Sequence, residues 1–226
     1  YETDGTEIWY TDENYWNETV GYRRDEYNIY LEKGTYYIQI NGYAYRTYQK
    51  STGEYTCRTS FTSSGVTNRE DDNSFADANN IAIGDKIVGQ ISVNDDFDTY
   101  KFTLSQVGCV KLDMTSYMQY YCIKLFNSDG EEIWYTSENE WTSTVGYRSD
   151  SYDLYLEKGT YYMQINGYDW GTYYKSTGKY VCNTSFTGSG VSFDGDDNDF
   201  KTAKQISWNK KYIGQISEND DFDNYI

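Results

Sequence analysis

The sequence contains no proline and no histidine, and its 226 residues include only 4 Cys and 3 Met. Without histidine, a Ser-His-Asp or Cys-His nucleophile and an imidazole metal site are excluded. Basic residues are also few, since 19 Lys and Arg stand against 36 Asp and Glu for a formal net charge of −17. Such an anion is repelled by phosphate backbones, so we expect no nucleic-acid partner. No apolar run reaches the roughly 18 residues of a membrane span, so we expect no membrane insertion.

Aromatic residues are abundant, with 28 Tyr, 9 Phe and 6 Trp, which is far too many for a disordered chain. Apolar and polar residues alternate in several runs that are separated by turn residues, a pattern typical of half-buried strands. The clearest runs are 109–114, 122–125, 152–157 and 161–165. We therefore predict an all-β chain built of antiparallel β-sandwich modules that are jelly-roll-like.

An internal repeat is the strongest feature of the sequence. Roughly 60 of the 101 positions that align at a displacement of 125 residues are identical. A period of this length suits a whole domain rather than a solenoid unit. Three long segments recur without a gap: 4–16, 31–43 and 89–100 return as 129–141, 156–168 and 214–225.

Two Ser/Thr/Gly-rich stretches, 62–68 and 187–193, are the most natural domain boundaries. They divide the chain into three parts. Residues 1–66 form the C-terminal part of a preceding repeat, 67–190 a complete repeat, and 191–226 the N-terminal part of a following one. We expect the chain to be a segment of a longer protein with at least three copies.

The motifs of the complete repeat occur in an ordered series. It begins with EDDNSFADA at 70–78, continues with IVGQI at 87–91 and DDFDTYKF at 95–102, and ends with LEKGTYY at 156–162. This series resembles the bacterial pre-peptidase C-terminal domain, although Asp71 stands where that family usually has proline. The resemblance implies a non-catalytic β-sandwich of secreted proteins, which accompanies peptidases or stands in arrays on cell surfaces.

Two acidic clusters, 71–73 and 95–98, lie in loops that a sandwich would bring to one end. Calcium prefers six to eight oxygen ligands and tolerates irregular loops of carboxylates and amides. Related collagen-binding modules bind calcium where the lead-in meets the sandwich, so the resemblance implies a Ca²⁺ site here. The alternative is that these are solvated turn residues. The implied ligands are Glu70, Asp72, Asn73, Asp95 and Asp98, with Asp197, Asn198, Asp220 and Asp223 in the third copy.

Several aromatic residues are predicted by alternation to face outward. Grouped on one face, they would stack on sugar rings or form a protein interface. The alternative is that they are cross-strand pairs that stabilise a sheet. These residues are Trp9, Tyr30 and Tyr37 in the first copy and Trp134, Tyr155 and Tyr162 in the second.

The complete repeat holds three cysteines. Alternation places Cys109 and Cys122 on the outer face and Cys182 inside, which favours a Cys109–Cys122 disulfide in an extracellular protein. A bridge from Cys182 to either residue, or one between chains, stays open.

We expect no enzyme, because the candidate carboxylates lie in polar turns that recur in successive copies. The predicted function is a structural stalk or fibre, or an adhesive element, of a secreted or cell-surface bacterial protein. Calcium would stiffen the joints, and the partners would be neighbouring copies, including a homo-polymer. The alternative is a module that binds carbohydrate or extracellular matrix and is appended to a secreted enzyme, with avidity supplied by repetition.

Overall fold

The computed structural model describes residues 1–11, 22–42, 52–66, 72–136, 147–167, 175–193 and 198–226. All of its strands lie inside the predicted complete repeat, whose boundaries stay a prediction. They are β1 (Asn79–Asn80), β2 (Lys86–Ile91), β3 (Asp98–Leu104), β4 (Gly108–Ser116), β5 (Cys122–Phe126), β6 (Glu132–Tyr135), β7 (Arg148–Leu156), β8 (Gly159–Asn166) and β9 (Gly178–Gly188).

The strands form two sheets. One has five strands in the order β1-β3-β8-β5-β6, and the other has four in the order β2-β9-β4-β7. Every pair is antiparallel except the short parallel pair of β1 and β3. The prediction of an all-β sandwich is confirmed. Among the described residues there is no helix, and hence none with the length and apolarity to span a bilayer.

The core lies between the sheets and is built from the alternating residues. Val110, Leu112 and Met114 of β4 are buried, and their neighbours in sequence are partly exposed. They belong to one cluster with Ile123 and Met163 of the other sheet. Each such side chain contributes roughly 1.5–3 kcal/mol on burial. The prediction that these alternating runs form half-buried strands is therefore confirmed.

The segment 23–63 has the sequence of β7, β8 and β9 but forms no strand in its described parts. In the complete repeat, β7 and β9 both pair with β4. Apolar side chains of this segment are exposed, such as Ile38 at 70%.

The cysteines correct one prediction. Cys109 lies on β4 and Cys122 on β5, so they face outward from opposite sheets and are free thiols. Alternation distinguishes inside from outside but does not say which sheet a strand joins. The predicted Cys109–Cys122 disulfide is therefore wrong. Cys182 is buried among the core residues, as alternation predicts.

Candidate metal centre and repeat joint

Three carboxylates converge at one end of the sandwich. Asp72 lies in the lead-in before β1, Asp95 in the turn after β2, and Asp98 at the start of β3. One oxygen of each lies within 4.8 Å of the others. All three are buried, with exposed fractions of 0% for Asp72 and 4% for both Asp95 and Asp98. We call them the carboxylate cluster.

Two oxygens of the carboxylate cluster have no hydrogen-bond partner. The side-chain amide of Asn79 donates to Asp72 Oδ2, but Asp72 Oδ1 and Asp95 Oδ1 are buried without a donor. Burying an unpaired polar atom costs several kcal/mol on the harsher transfer scales, and burying like charges costs more. These oxygens are therefore suited to a cation.

The carboxylate cluster has perturbed acidity. Burial raises the pKa of Asp72 to about 7, that of Asp95 to about 6 and that of Asp98 to about 9. Neighbouring carboxylates add to the rise: Asp95 acts on Asp72, and Glu32 acts on Asp95. Like charges this close cannot all ionise readily without a compensating positive charge.

Two tyrosines tie this end of the sandwich together. Tyr180 of β9 donates a hydrogen bond to Asp98, and its oxygen lies 2.7 Å from that of Tyr100 on β3. Gly89 leaves room for this contact, because a Cβ there would lie 2.1 Å from the Tyr180 hydroxyl and 2.6 Å from Asp98 Oδ2. Sequence reasoning did not identify Tyr180, which is about 80 residues from Asp98 in the chain.

Asn73 makes hydrogen bonds to the turn of Asp95, and its role as a ligand stays a prediction. Its side chain is exposed, and its Oδ1 accepts hydrogen bonds from the backbone amides of Asp96 (3.3 Å) and Phe97 (2.8 Å). Asn73 therefore holds the lead-in against the turn that carries Asp95. In the last repeat, Asn198 accepts from Asp221 (3.1 Å) and Phe222 (2.9 Å) in the same way.

The remaining predicted ligands are placed as follows. Glu70 and Asp197 lie outside the described residues. Asp220 and Asp223 are half-buried, in the positions of Asp95 and Asp98. Gly214 repeats the role of Gly89, since a Cβ there would lie 2.6 Å from Asp223 Oδ2.

The donor set of the carboxylate cluster fits a hard cation. Its atoms are carboxylate oxygens from three loop or strand-end positions, a donor type that suits Ca²⁺. No thiol or imidazole is in the group, which argues against a zinc site. The unpaired oxygens of Asp72 and Asp95 are the observation that supports this fit.

A second feature adjoins the carboxylate cluster: the contact between residues 30–32 and residues 90–94, here called the repeat joint. The backbone amide of Val93 donates to the Tyr30 carbonyl (3.0 Å), and Gln90 Nε2 donates to the Leu31 carbonyl (3.2 Å). Ser92 Oγ donates to the carboxylate of Glu32. Residues 30–32 are thus bound to the end of β2 and to the turn that follows it.

The repeat joint occurs twice with the same partners. At the second position, Glu218 N donates to the Tyr155 carbonyl (2.8 Å) and Gln215 Nε2 to the Leu156 carbonyl (3.3 Å). Ser217 Oγ donates to Glu157 Oε1 at 2.7 Å. Each residue is displaced by 125 from its counterpart in the first joint. The same contact therefore occurs at two places in the chain.

The predicted outward aromatics do not form one platform. Trp134 packs against the core, with its ring 5.4 Å from that of Tyr152, so it differs from the outward placement that alternation predicts. Tyr162 is covered by the stacked ring of Phe75, at 4.7 Å. Tyr155 is 48% exposed but lies on the other sheet.

The first-copy aromatics are also scattered. Trp9 is 37% exposed and packs edge-on against Tyr27, with ring centroids 5.3 Å apart. Tyr37 is 59% exposed. Tyr30 contributes its carbonyl to the repeat joint.

No family model and no curated protein sequence matches this chain. Among the solved structures, 16 chains are similar to it. One is the pre-peptidase C-terminal domain of collagenase from Bacillus anthracis, at 18% identity and a TM-score of 0.36 over 48% of this chain and 94% of that one. Another is a family 35 carbohydrate-binding module from Clostridium thermocellum, at 18% identity and a TM-score of 0.23 over 38% of this chain and 70% of that one.

The two sheets place this chain in the class of β-sandwich modules, and both similar structures are members of the same class. The first of the two bears the name of the family that the motif order resembles.

Proposed function

We propose that this chain is a non-catalytic, calcium-stabilised part of a tandem array in a secreted or cell-surface bacterial protein, where it serves as a stalk or adhesive element. The observation that carries the proposal is the repeat joint, which uses the same donors and acceptors at residues 30–32 with 90–94 and at 155–157 with 215–218. The proposal that the protein is secreted rests on the resemblance of its motif order to the pre-peptidase C-terminal domain.

A repeated joint favours a mechanical role. A head-to-tail contact that recurs with one geometry generates a regular, open-ended arrangement. Successive modules that were linked only by a flexible segment would have no such contact. The joint connects parts of one chain, so an array needs only further copies along the chain. The predicted homo-polymer of separate chains stays a prediction.

Calcium would act next to the joint. Asp72, Asp95 and Asp98 would hold it, and its charge would offset the repulsion among these buried carboxylates. Asn73 supports the site by fixing the loop. Because the cation binds the folded state and not the unfolded chain, it would raise the free energy of unfolding.

Thermal unfolding of the 226-residue chain tests the proposal. We expect the midpoint to rise by several degrees in millimolar Ca²⁺ relative to a chelator. Mg²⁺ at the same concentration is the control for ionic strength and should stabilise less, because it requires a stricter geometry. A midpoint that is the same with Ca²⁺ and with chelator would remove the metal from the proposed function.

A second function is favoured by one observation. Tyr117 and Tyr147 are 47% and 39% exposed, and their ring centroids lie 5.8 Å apart. Such a pair could stack on a sugar ring and make the module a polysaccharide or matrix binder. A glycan array, with Tyr117→Ala as the comparison, tests this role. Glycan binding that Tyr117→Ala abolishes would favour the binding function. If no glycan on the array is bound, the structural role is favoured instead.

A further inference from the structure

We propose that each repeat completes the cation site of the repeat that follows it, with Glu32 supplying a carboxylate oxygen to the cluster of Asp72, Asp95 and Asp98. This inference rests on the proposed calcium-stabilised array. It adds a ligand that the preceding copy contributes through the repeat joint.

Glu32 reaches the carboxylate cluster through Ser92. Ser92 is fully buried, and its hydroxyl donates to Glu32 Oε1. The Ser92 carbonyl accepts a hydrogen bond from the Asp95 amide at 3.3 Å. Ser92, which binds Glu32, is therefore separated from Asp95 of the carboxylate cluster by a single turn. The charge of Glu32 also raises the pKa of Asp95, so the carboxylate of the preceding copy lies near this member of the cluster.

The backbone of the repeat joint fixes this position. Gln90 donates both to the Leu31 carbonyl (3.2 Å) and to Ser92 Oγ (2.7 Å), so it holds the two partners of the contact together. Val93 adds a backbone bond to Tyr30. The placement of Glu32 is thus set by the joint and not by a free side-chain rotamer.

The second joint reproduces the arrangement. Glu157 Oε1 accepts from Ser217 Oγ at 2.7 Å, and Asp220 N donates to the Ser217 carbonyl at 3.1 Å. Gln215 donates to Ser217 Oγ at 2.7 Å. The same series of hydrogen bonds, from glutamate through serine to the aspartate turn, therefore occurs at both junctions.

The arrangement couples cation binding to docking. Without a cation, Glu32 adds a negative charge to a buried acidic group and weakens the joint. With a cation, the same carboxylate becomes a ligand and strengthens the joint. By linkage, docking of the preceding copy raises cation affinity by the same factor. The array would be stiff where calcium is abundant and loose where it is scarce.

Calorimetric Ca²⁺ titration of the whole chain tests the inference. The variant Glu32→Gln keeps an oxygen that can accept from Ser92 but loses the charge. We use it in a background of Asp223→Asn, which removes a ligand position of the last repeat. The control is Glu26→Gln, which makes the same charge change at an exposed position of the same segment.

We expect Glu32→Gln to weaken Ca²⁺ binding about tenfold, equivalent to ~1.4 kcal/mol, and Glu26→Gln to leave it within about twofold. Gln90→Ala, which loosens the joint without changing charge, should also weaken binding. Equal affinities for both glutamate variants would overturn the inference and leave the proposed function standing. If the parent chain binds no Ca²⁺, both fail.

Discussion

The hydroxyl oxygens of Tyr100 and Tyr180 lie 2.7 Å apart, although the two residues belong to different sheets. Tyr180 also donates to Asp98, so the contact links both sheets to the carboxylate cluster. The acidic end of the sandwich is therefore part of its core. A change at the candidate metal site should for that reason alter the stability of the whole module.

Removal of the Tyr180 hydroxyl tests this link. We expect Tyr180→Phe to lower the free energy of unfolding by about 1–3 kcal/mol, because it removes a buried hydrogen-bond partner of both Asp98 and Tyr100. Urea unfolding measures the change. Tyr155→Phe is the control, since Tyr155 is 48% exposed and should change stability by less than about 0.5 kcal/mol. Equal effects would contradict the structural role of Tyr180.

Stability without calcium should fall as pH rises. Burial raises the pKa of Asp72 to about 7, that of Asp95 to about 6 and that of Asp98 to about 9, all above the unfolded value of 3.8. The folded state then binds more protons than the unfolded state between about pH 4 and pH 9. The stabilising contribution is complete below pH 4 and is lost as pH passes through the folded values.

Thermal unfolding in chelator, as a function of pH, measures this effect. We expect the midpoint to decline between pH 5 and pH 9, and saturating Ca²⁺ to reduce the decline, because the cation favours the ionised carboxylates. Asp98→Asn should flatten the chelator curve above about pH 8, where the native Asp98 accounts for most of the remaining ionisation. A chelator curve that stays flat over this range would show that the three carboxylates ionise in the folded chain at no cost.

Gly89 should not tolerate a side chain. A Cβ there would lie 2.1 Å from the Tyr180 hydroxyl, so Gly89→Ala should cost about 1–3 kcal/mol or more through overpacking. Gly159→Ala is the control, because its Cβ would meet Tyr161 at an ordinary 3.6 Å. Chemical unfolding of the two variants should separate them clearly. A neutral Gly89→Ala would mean that Tyr180 is free to move away from Asp98.

The fold class could be predicted from local patterns because the strands alternate strictly between core and surface. The runs around Leu112 and Met163 are examples, since each lies on one strand and its burial follows from the period alone. The meeting of Asp72 with Asp95 was also predictable, because both loops lie at strand ends. The ordered motifs that resemble a known family indicated the same end of the domain.

Strand partners were not predictable in the same way. Trp134 and Cys122 alternate like outward residues, yet Trp134 packs against the core and Cys122 lies on the opposite sheet from Cys109. Pairing is decided by contacts far apart in sequence, such as Asp98 with Tyr180. The repeat joint was hidden for the same reason, since Glu32 and Ser92 are about 60 residues apart.

The cysteines provide the last prediction. We expect four reactive thiols after denaturation, because Cys109 and Cys122 face outward from opposite sheets and cannot be bridged. In the native chain, Cys182 should react far more slowly than Cys57, the same position in the preceding copy. Cys57 is exposed, whereas Cys182 is buried in the core and burial raises its pKa to about 12, so little reactive thiolate forms. Alkylation followed by peptide mass spectrometry measures each residue separately. Equal rates for Cys57 and Cys182 would contradict the two-sheet arrangement, because Cys182 would then have to be open to solvent. Only two thiols in the denatured chain would also contradict it, because the two sheets would then have to be bridged.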